Sequence, residues 1–147
     1  MPTPQPDQIF VTSDETLDAL CDRLVGCSII AIDTEFMGEA VQETAPIARF
    51  WDILCDSHIE KVLHAGRQDL ELFSHHAGRL PKPFFDTQIA AALVGYGAQT
   101  AYANLVQRVQ GVKLDKAHTF TNWSQRPLTH AQLVYALGDE TFPLPAH

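Results

Sequence analysis

Short apolar runs rich in β-branched residues alternate with amphipathic stretches along most of this 147-residue chain, and that alternation leaves few folds open. Residues 27–32, Cys-Ser-Ile-Ile-Ala-Ile, are too short for a helix and read as a strand buried on both faces. A second run spans 61–65 and a third 83–85. Between them apolar residues recur at helical spacing. The predicted helices are 13–24 with Ser13 as cap, one starting at Pro46 and carrying Ile47, Phe50, Trp51 and Leu54, then 67–76, 87–94 with Asp86 as cap, and 102–110. A last helix opens at Thr129, three residues before Gln132, a capping-box spacing. Strands that alternate with helices pair in parallel, so the predicted class is α/β.

A chain this long, 46% hydrophobic and 19% charged, has material for one core, which predicts a single domain over 1–147 with the polar, Pro-rich 1–8 flexible. No run approaches the length of a membrane helix, and the start lacks the basic-then-apolar order of a secretory signal. Cys21, Cys27 and Cys55 form no CxxC pair, so reduced thiols, a cytoplasmic setting and no membrane partner are expected. Lys plus Arg number 10 against 18 Asp plus Glu, a net charge of -8. That excludes a protein holding nucleic acid by bulk positive charge.

The chemistry lies in where the acids fall. Asp33 and Glu35 follow the first predicted strand directly; two apart, they share a face while Thr34 points away. Asp69 falls early in the helix after the second strand, and Tyr135 and Asp139 are four apart on the last helix. Carboxylates gathered without basic partners need cations to neutralise them, and oxygen-only ligation suits Mg²⁺ or Mn²⁺. Two such ions about 3.5–4 Å apart can clamp a phosphodiester. Asp86 reads as a helix cap and stays outside this set. His75 and His76 are adjacent rather than four apart, with no cysteine in a ligand pattern, which sets zinc aside. Trp123 reads as core.

Ile32-Asp-Thr-Glu-Phe36, His64-Ala-Gly-Arg-Gln-Asp-Leu-Glu-Leu-Phe73, Phe85-Asp-Thr-Gln-Ile-Ala-Ala-Ala-Leu93 and Tyr135-Ala-Leu-Gly-Asp139 resemble, in order, the exonuclease motifs of the DEDD superfamily in its tyrosine-containing branch. The ribonuclease D family is the nearest likeness, strengthened by residues 114–129 leading into the third motif. The resemblance implies a ribonuclease H-like fold in which Asp33, Glu35, Asp69 and Asp139 bind two divalent cations, Mg²⁺ or Mn²⁺, and Tyr135 orients the attacking water. It implies 3'-5' hydrolysis of single-stranded RNA, tRNA precursors among the substrates, to nucleoside 5'-monophosphates. Phe36 and Met37 become candidates to contact the terminal base, and His64 a candidate substrate contact.

The chain departs from that family in one place. Members follow the first acidic strand with two antiparallel strands, a unit of roughly 15–25 residues with its turns. Here only residues 38–45 separate the Asp-Thr-Glu-Phe-Met stretch from the Pro46 helix. A reduced sheet lacking both strands is expected, with an exposed edge that invites a homo-oligomer. No C-terminal helical accessory domain is expected after Asp139. Two alternatives stay open: a related exonuclease acting on DNA, since the acids do not distinguish the sugars, and an inactive nucleic-acid-binding or scaffold module. Setting the four acids aside leaves 10 cations against 14 acids, so weak substrate affinity and strong metal dependence are expected.

Overall fold

The computed structural model describes residues 9–35, 47–114 and 121–140, the last four of these by backbone alone. Its elements in chain order are α1 (Asp14–Leu24), β1 (Ile29–Ala31), α2 (Ala48–Leu54), β2 (Glu60–Leu63), α3 (Arg67–Ala77), β3 (Phe84–Asp86), α4 (Thr87–Leu93), α5 (Tyr102–Gln110) and α6 (His130–Glu140). Contacts divide them into two compact units. One runs from α1 to Thr87; the other holds Asp33, Thr34, Glu35 and the chain from Gln88 on.

In the first unit the three strands lie in the order β1-β2-β3, all parallel, with Ile30 opposite Lys61 and Val62 opposite Phe85. No antiparallel strand occurs among the described residues; residues 36–46, on which the expectation of two missing strands falls, lie outside them. α1 starts where its local sequence dictates: Ser13 Oγ accepts from the Thr16 N–H at 3.3 Å and Thr16 Oγ1 from the Ser13 N–H at 3.0 Å. Cys21, Ile30, Ile53, Leu54, Ile59, Leu63 and Phe73 form the core, with Leu17, Leu24, Phe50, Trp51 and Leu70 packed on it. Each large apolar side chain so buried contributes about 1.5–3 kcal/mol. The Trp51 ring centre lies 5.9 Å from that of Phe73, and the ring stacks nearly parallel on His76, which gives that histidine a packing role.

One expectation fails in this unit. β1 is not buried on both faces: Ile30 is buried, while Ile29 and Ala31, which point to the opposite face, are exposed. Lys61 offers the opposite surprise, a charged residue whose side chain is wholly buried. Its ammonium donates to the carbonyls of Asp56 at 2.8 Å, Lys82 at 3.0 Å and Ile59. All three donors are thereby used, and burial still pushes the group below the ordinary lysine range.

In the second unit Gly95, Gly97 and Gly111 take left-handed conformations where chain elements stop. Arg108 donates to the Tyr96 carbonyl at 2.7 Å and lies 4.8 Å above the Tyr96 ring, tying α5 to the turn after α4. α6 carries the predicted capping box: Thr129 Oγ1 accepts from the Gln132 N–H at 3.3 Å while Gln132 Oε1 accepts from the Thr129 N–H at 2.8 Å. No helix among the described residues is long and apolar enough to cross a membrane. Residues 1–8, for which flexibility was expected, lie outside the described residues.

Candidate active site

The first unit presents the turn that carries Asp69. β2 ends at Leu63, three residues turn the chain, and α3 begins at Arg67 with Asp69 in its first turn. Asp69 is buried to 8% exposure, unusual for a carboxylate, and the helix N-terminus favours its negative charge. The turn itself is tight. Ala65 has φ 55°, in the left-handed region alanine rarely enters, and Gly66 is buried so close to Leu63 that a side chain has no room.

What holds this turn comes from farther along the chain. The carboxylate of Asp86, the residue expected to cap the helix it precedes, reaches the start of α3, accepting from the Ala65 N–H at 3.1 Å and the Gly66 N–H at 3.0 Å. α3 has no side-chain cap at Gly66 from its own neighbourhood, so an acid twenty residues downstream fills that need. His64, half-buried, lies beside Leu63 and Thr87 in the same unit.

β1 and β2 are parallel neighbours, and the Ile32 N–H extends their ladder by donating to the Val62 carbonyl at 3.0 Å. Asp33 is the next residue. Exposure alternates from there, Asp33 and Glu35 exposed and Thr34 half-buried, as two acids on one side of an extended chain require. Both belong to the second unit with Tyr135. Tyr135 is half-buried on α6, its ring centre 6.0 Å from that of Trp123, a core residue as expected. Gln132, one turn earlier and almost wholly buried, donates to the Asn122 carbonyl at 2.9 Å and so fastens the Trp123 segment to α6. Asp139 falls one turn beyond Tyr135; its side chain lies outside the described residues, as do Phe36 and Met37.

The structure thus brings His64 and Asp69 onto one turn in the first unit and assigns Asp33, Glu35, Tyr135 and Asp139 to the second. Among the described residues no three His, Cys, Asp or Glu side chains gather closely enough to hold a metal ion. The donor set of four carboxylates fits hard divalent cations by chemistry, Mg²⁺ or Mn²⁺ above zinc. Sequence reasoning passed over Thr87. Its pairing with Asp86 directly after an apolar run was the available signal.

The profile of the 3'-5' exonuclease family matches residues 39–144, which takes in Asp69, Tyr135 and Asp139 and begins four residues beyond Glu35. A protein named ribonuclease D from Zymomonas mobilis is 44% identical over 155 positions, covering 90% of this chain and 40% of its own length. Ninety per cent of 147 residues is about 132, so some 23 of those positions have no counterpart here. The crystal structure of Escherichia coli RNase D, described as an exoribonuclease involved in structured RNA processing, superposes with a TM-score of 0.80 at 35% identity over 88% of this chain and 40% of that one. Brucella melitensis NrnC with bound Mg²⁺ gives 0.65 at 27% identity, over 78% of this chain and 67% of its own. The chain spans about 40% of the length of the curated relative it matches.

Proposed function

Because the chain belongs to the 3'-5' exonuclease family, we propose that it is a metal-dependent exoribonuclease that removes nucleotides from the 3' end of single-stranded RNA. The observation that carries this reading is the buried Asp69 at the head of α3, in a segment 39–144 that matches the family throughout. Asp33, Glu35, Asp69 and Asp139 would hold two Mg²⁺ or Mn²⁺ ions; the Mg²⁺ bound by the NrnC relative supports a divalent cation here. Bound there, the cations supply a water of lowered pKa and shield charge on the phosphate.

The chain's own residues do the rest. The Tyr135 hydroxyl, its ring backed by Trp123, hydrogen-bonds the attacking water and orients it toward phosphorus. Water oxygen bonds to phosphorus, the bond to the preceding 3' oxygen breaks, and a nucleoside 5'-monophosphate leaves. His64 contacts the substrate strand, and Phe36 and Met37 stack on or support the terminal base. The resemblance of the motifs to ribonuclease D implies tRNA precursors among the substrates. Three free cysteines support a cytoplasmic setting, and the place of β1 at the end of the sheet among the described residues supports a homo-oligomer.

A second reading, an inactive nucleic-acid-binding module, is favoured by the 23-position shortfall. One experiment separates them. Wild type, Asp33→Ala and Tyr135→Phe are incubated with 5'-labelled single-stranded RNA or matching DNA and Mg²⁺, Mn²⁺ or chelator. A ladder shortening from the 3' end of RNA only with metal and intact Asp33 is expected; binding without shortening in any metal would sink the enzyme, and a ladder on DNA alone would reassign the substrate.

A further inference from the structure

Asp86 ends β3 and Thr87 begins α4, and both side chains reach across to the turn after β2. Asp86 takes the Ala65 and Gly66 N–H groups, one on each carboxylate oxygen. Thr87 Oγ1 donates to the Leu63 carbonyl at 3.0 Å and lies 2.9 Å from His64 Nδ1. A hydroxyl has one proton, and here it goes to a carbonyl that can only accept. The His64 contact therefore runs the other way: Nδ1–H donates to Thr87 Oγ1. That assigns the hydrogen to Nδ1 and holds the ring in place.

Four consecutive residues, Leu63 to Gly66, are thus bonded to two adjacent ones. The turn needs the restraint, since Ala65 is in the left-handed region and the head of α3 has no local cap. Asp69 sits in the first turn of that helix, so the place of its carboxylate follows from where the helix starts.

We propose that Asp86 and Thr87 are positioning residues of the exonuclease site, Asp86 setting Asp69 as a cation ligand through the start of α3 and Thr87 presenting His64 to the substrate strand. The proposal rests on the reading of Asp69 as a metal ligand given above. Asp86→Asn keeps the size but turns one acceptor into an NH₂ facing a backbone N–H. Thr87→Val keeps the shape and loses the hydroxyl, whereas Thr87→Ser keeps the hydroxyl.

The test uses the full chain, with Mn²⁺ affinity by titration calorimetry below the unfolding transition, thermal unfolding without metal, and kcat and KM on 5'-labelled single-stranded RNA. Asp86→Asn is expected to weaken Mn²⁺ binding and lower kcat by roughly 10–100-fold, the range seen when outer partners of metal ligands are removed. Thr87→Val is expected to raise KM while Mn²⁺ affinity holds, and Thr87→Ser to restore KM. A merely structural role would move the unfolding temperature alone, and that result overturns the proposal. Asp69→Asn is measured alongside. Lost binding there with wild-type binding in Asp86→Asn overturns the positioning role only; wild-type binding in both overturns the reading of Asp69 and the proposal with it. If Asp86→Asn does not fold, the Thr87 pair decides, and equal KM in wild type, Thr87→Val and Thr87→Ser counts against it.

Discussion

Gly66 and its neighbour Ala65 make opposite demands on the turn that leads to Asp69. A Cβ built on Gly66 would lie 2.6 Å from Leu63 Cβ and 2.9 Å from Leu63 Cδ2, inside any real contact and against a core residue that cannot swing away. Gly66→Ala is expected to cost about 1–3 kcal/mol by overpacking, read as a lower urea midpoint at unchanged slope. Ala65 already has its side chain in the left-handed region, where alanine costs about 1–2 kcal/mol. Ala65→Gly removes that strain and adds about 0.5–1 kcal/mol of unfolded-chain entropy, so it is expected to stay within about 1 kcal/mol of wild type. If Gly66→Ala proves as harmless as Ala65→Gly, the close approach to Leu63 is not what restrains the turn. None of this was legible in Gly66 itself, which reads as an ordinary residue before a helix. The second role of Asp86 was hidden for a related reason: an acid before a helix looks like its cap, and nothing local says that it also serves amides twenty residues back.

Elements were legible where their signals are local. Ser13 and Thr129 cap the helices they precede because their partners, Thr16 and Gln132, are three residues away. Gly78 and Gly111 end α3 and α5 in left-handed conformations, as glycine after a helix should. β1 and β2 were placed as strands, but β1 was misjudged in burial. An apolar run does not say whether a neighbour will cover its second face, and a lysine does not announce that three carbonyls await it. Lys61 gives β2 its own test. Lys61→Met keeps most of the apolar stem and strands the carbonyls of Ile59 and Lys82, so a loss of about 1–3 kcal/mol is expected. The pH dependence has a defined sign. Burial lowers the folded-state value, so the folded chain gives up this proton first as pH rises, and from there to the ordinary lysine value the unfolded state holds more protons. Stability from Lys61 rises with pH across that window, and the gap in urea midpoint between wild type and Lys61→Met is expected to widen there. A gap that narrows would mean that the carbonyls, by holding the ammonium, outweigh burial.

At the scale of the whole molecule, charge and sheet edge pull against each other. β1 pairs only with β2 among the described residues, and the parallel ladder uses the Ser28 carbonyl and the Ile32 N–H, which alternate with those of Ile29 and Ala31. Ile29 is 41% exposed beside that edge. An open, apolar edge favours pairing with a second copy, whereas two chains each carrying -8 repel. Salt screens the repulsion, over about 10 Å at 0.1 M, and leaves backbone pairing in place. Association through this edge is therefore expected to strengthen with salt in sedimentation equilibrium, the reverse of a charge-driven complex. Ile29→Lys puts a cation beside the edge, the means by which exposed strands are commonly kept single, and is expected to shift the equilibrium toward monomer with little change in thermal midpoint. A wild-type chain that stays monomeric at every salt concentration would show that the edge needs no second copy, and the 23 positions missing relative to the Zymomonas mobilis protein would then have been lost without leaving a surface to cover.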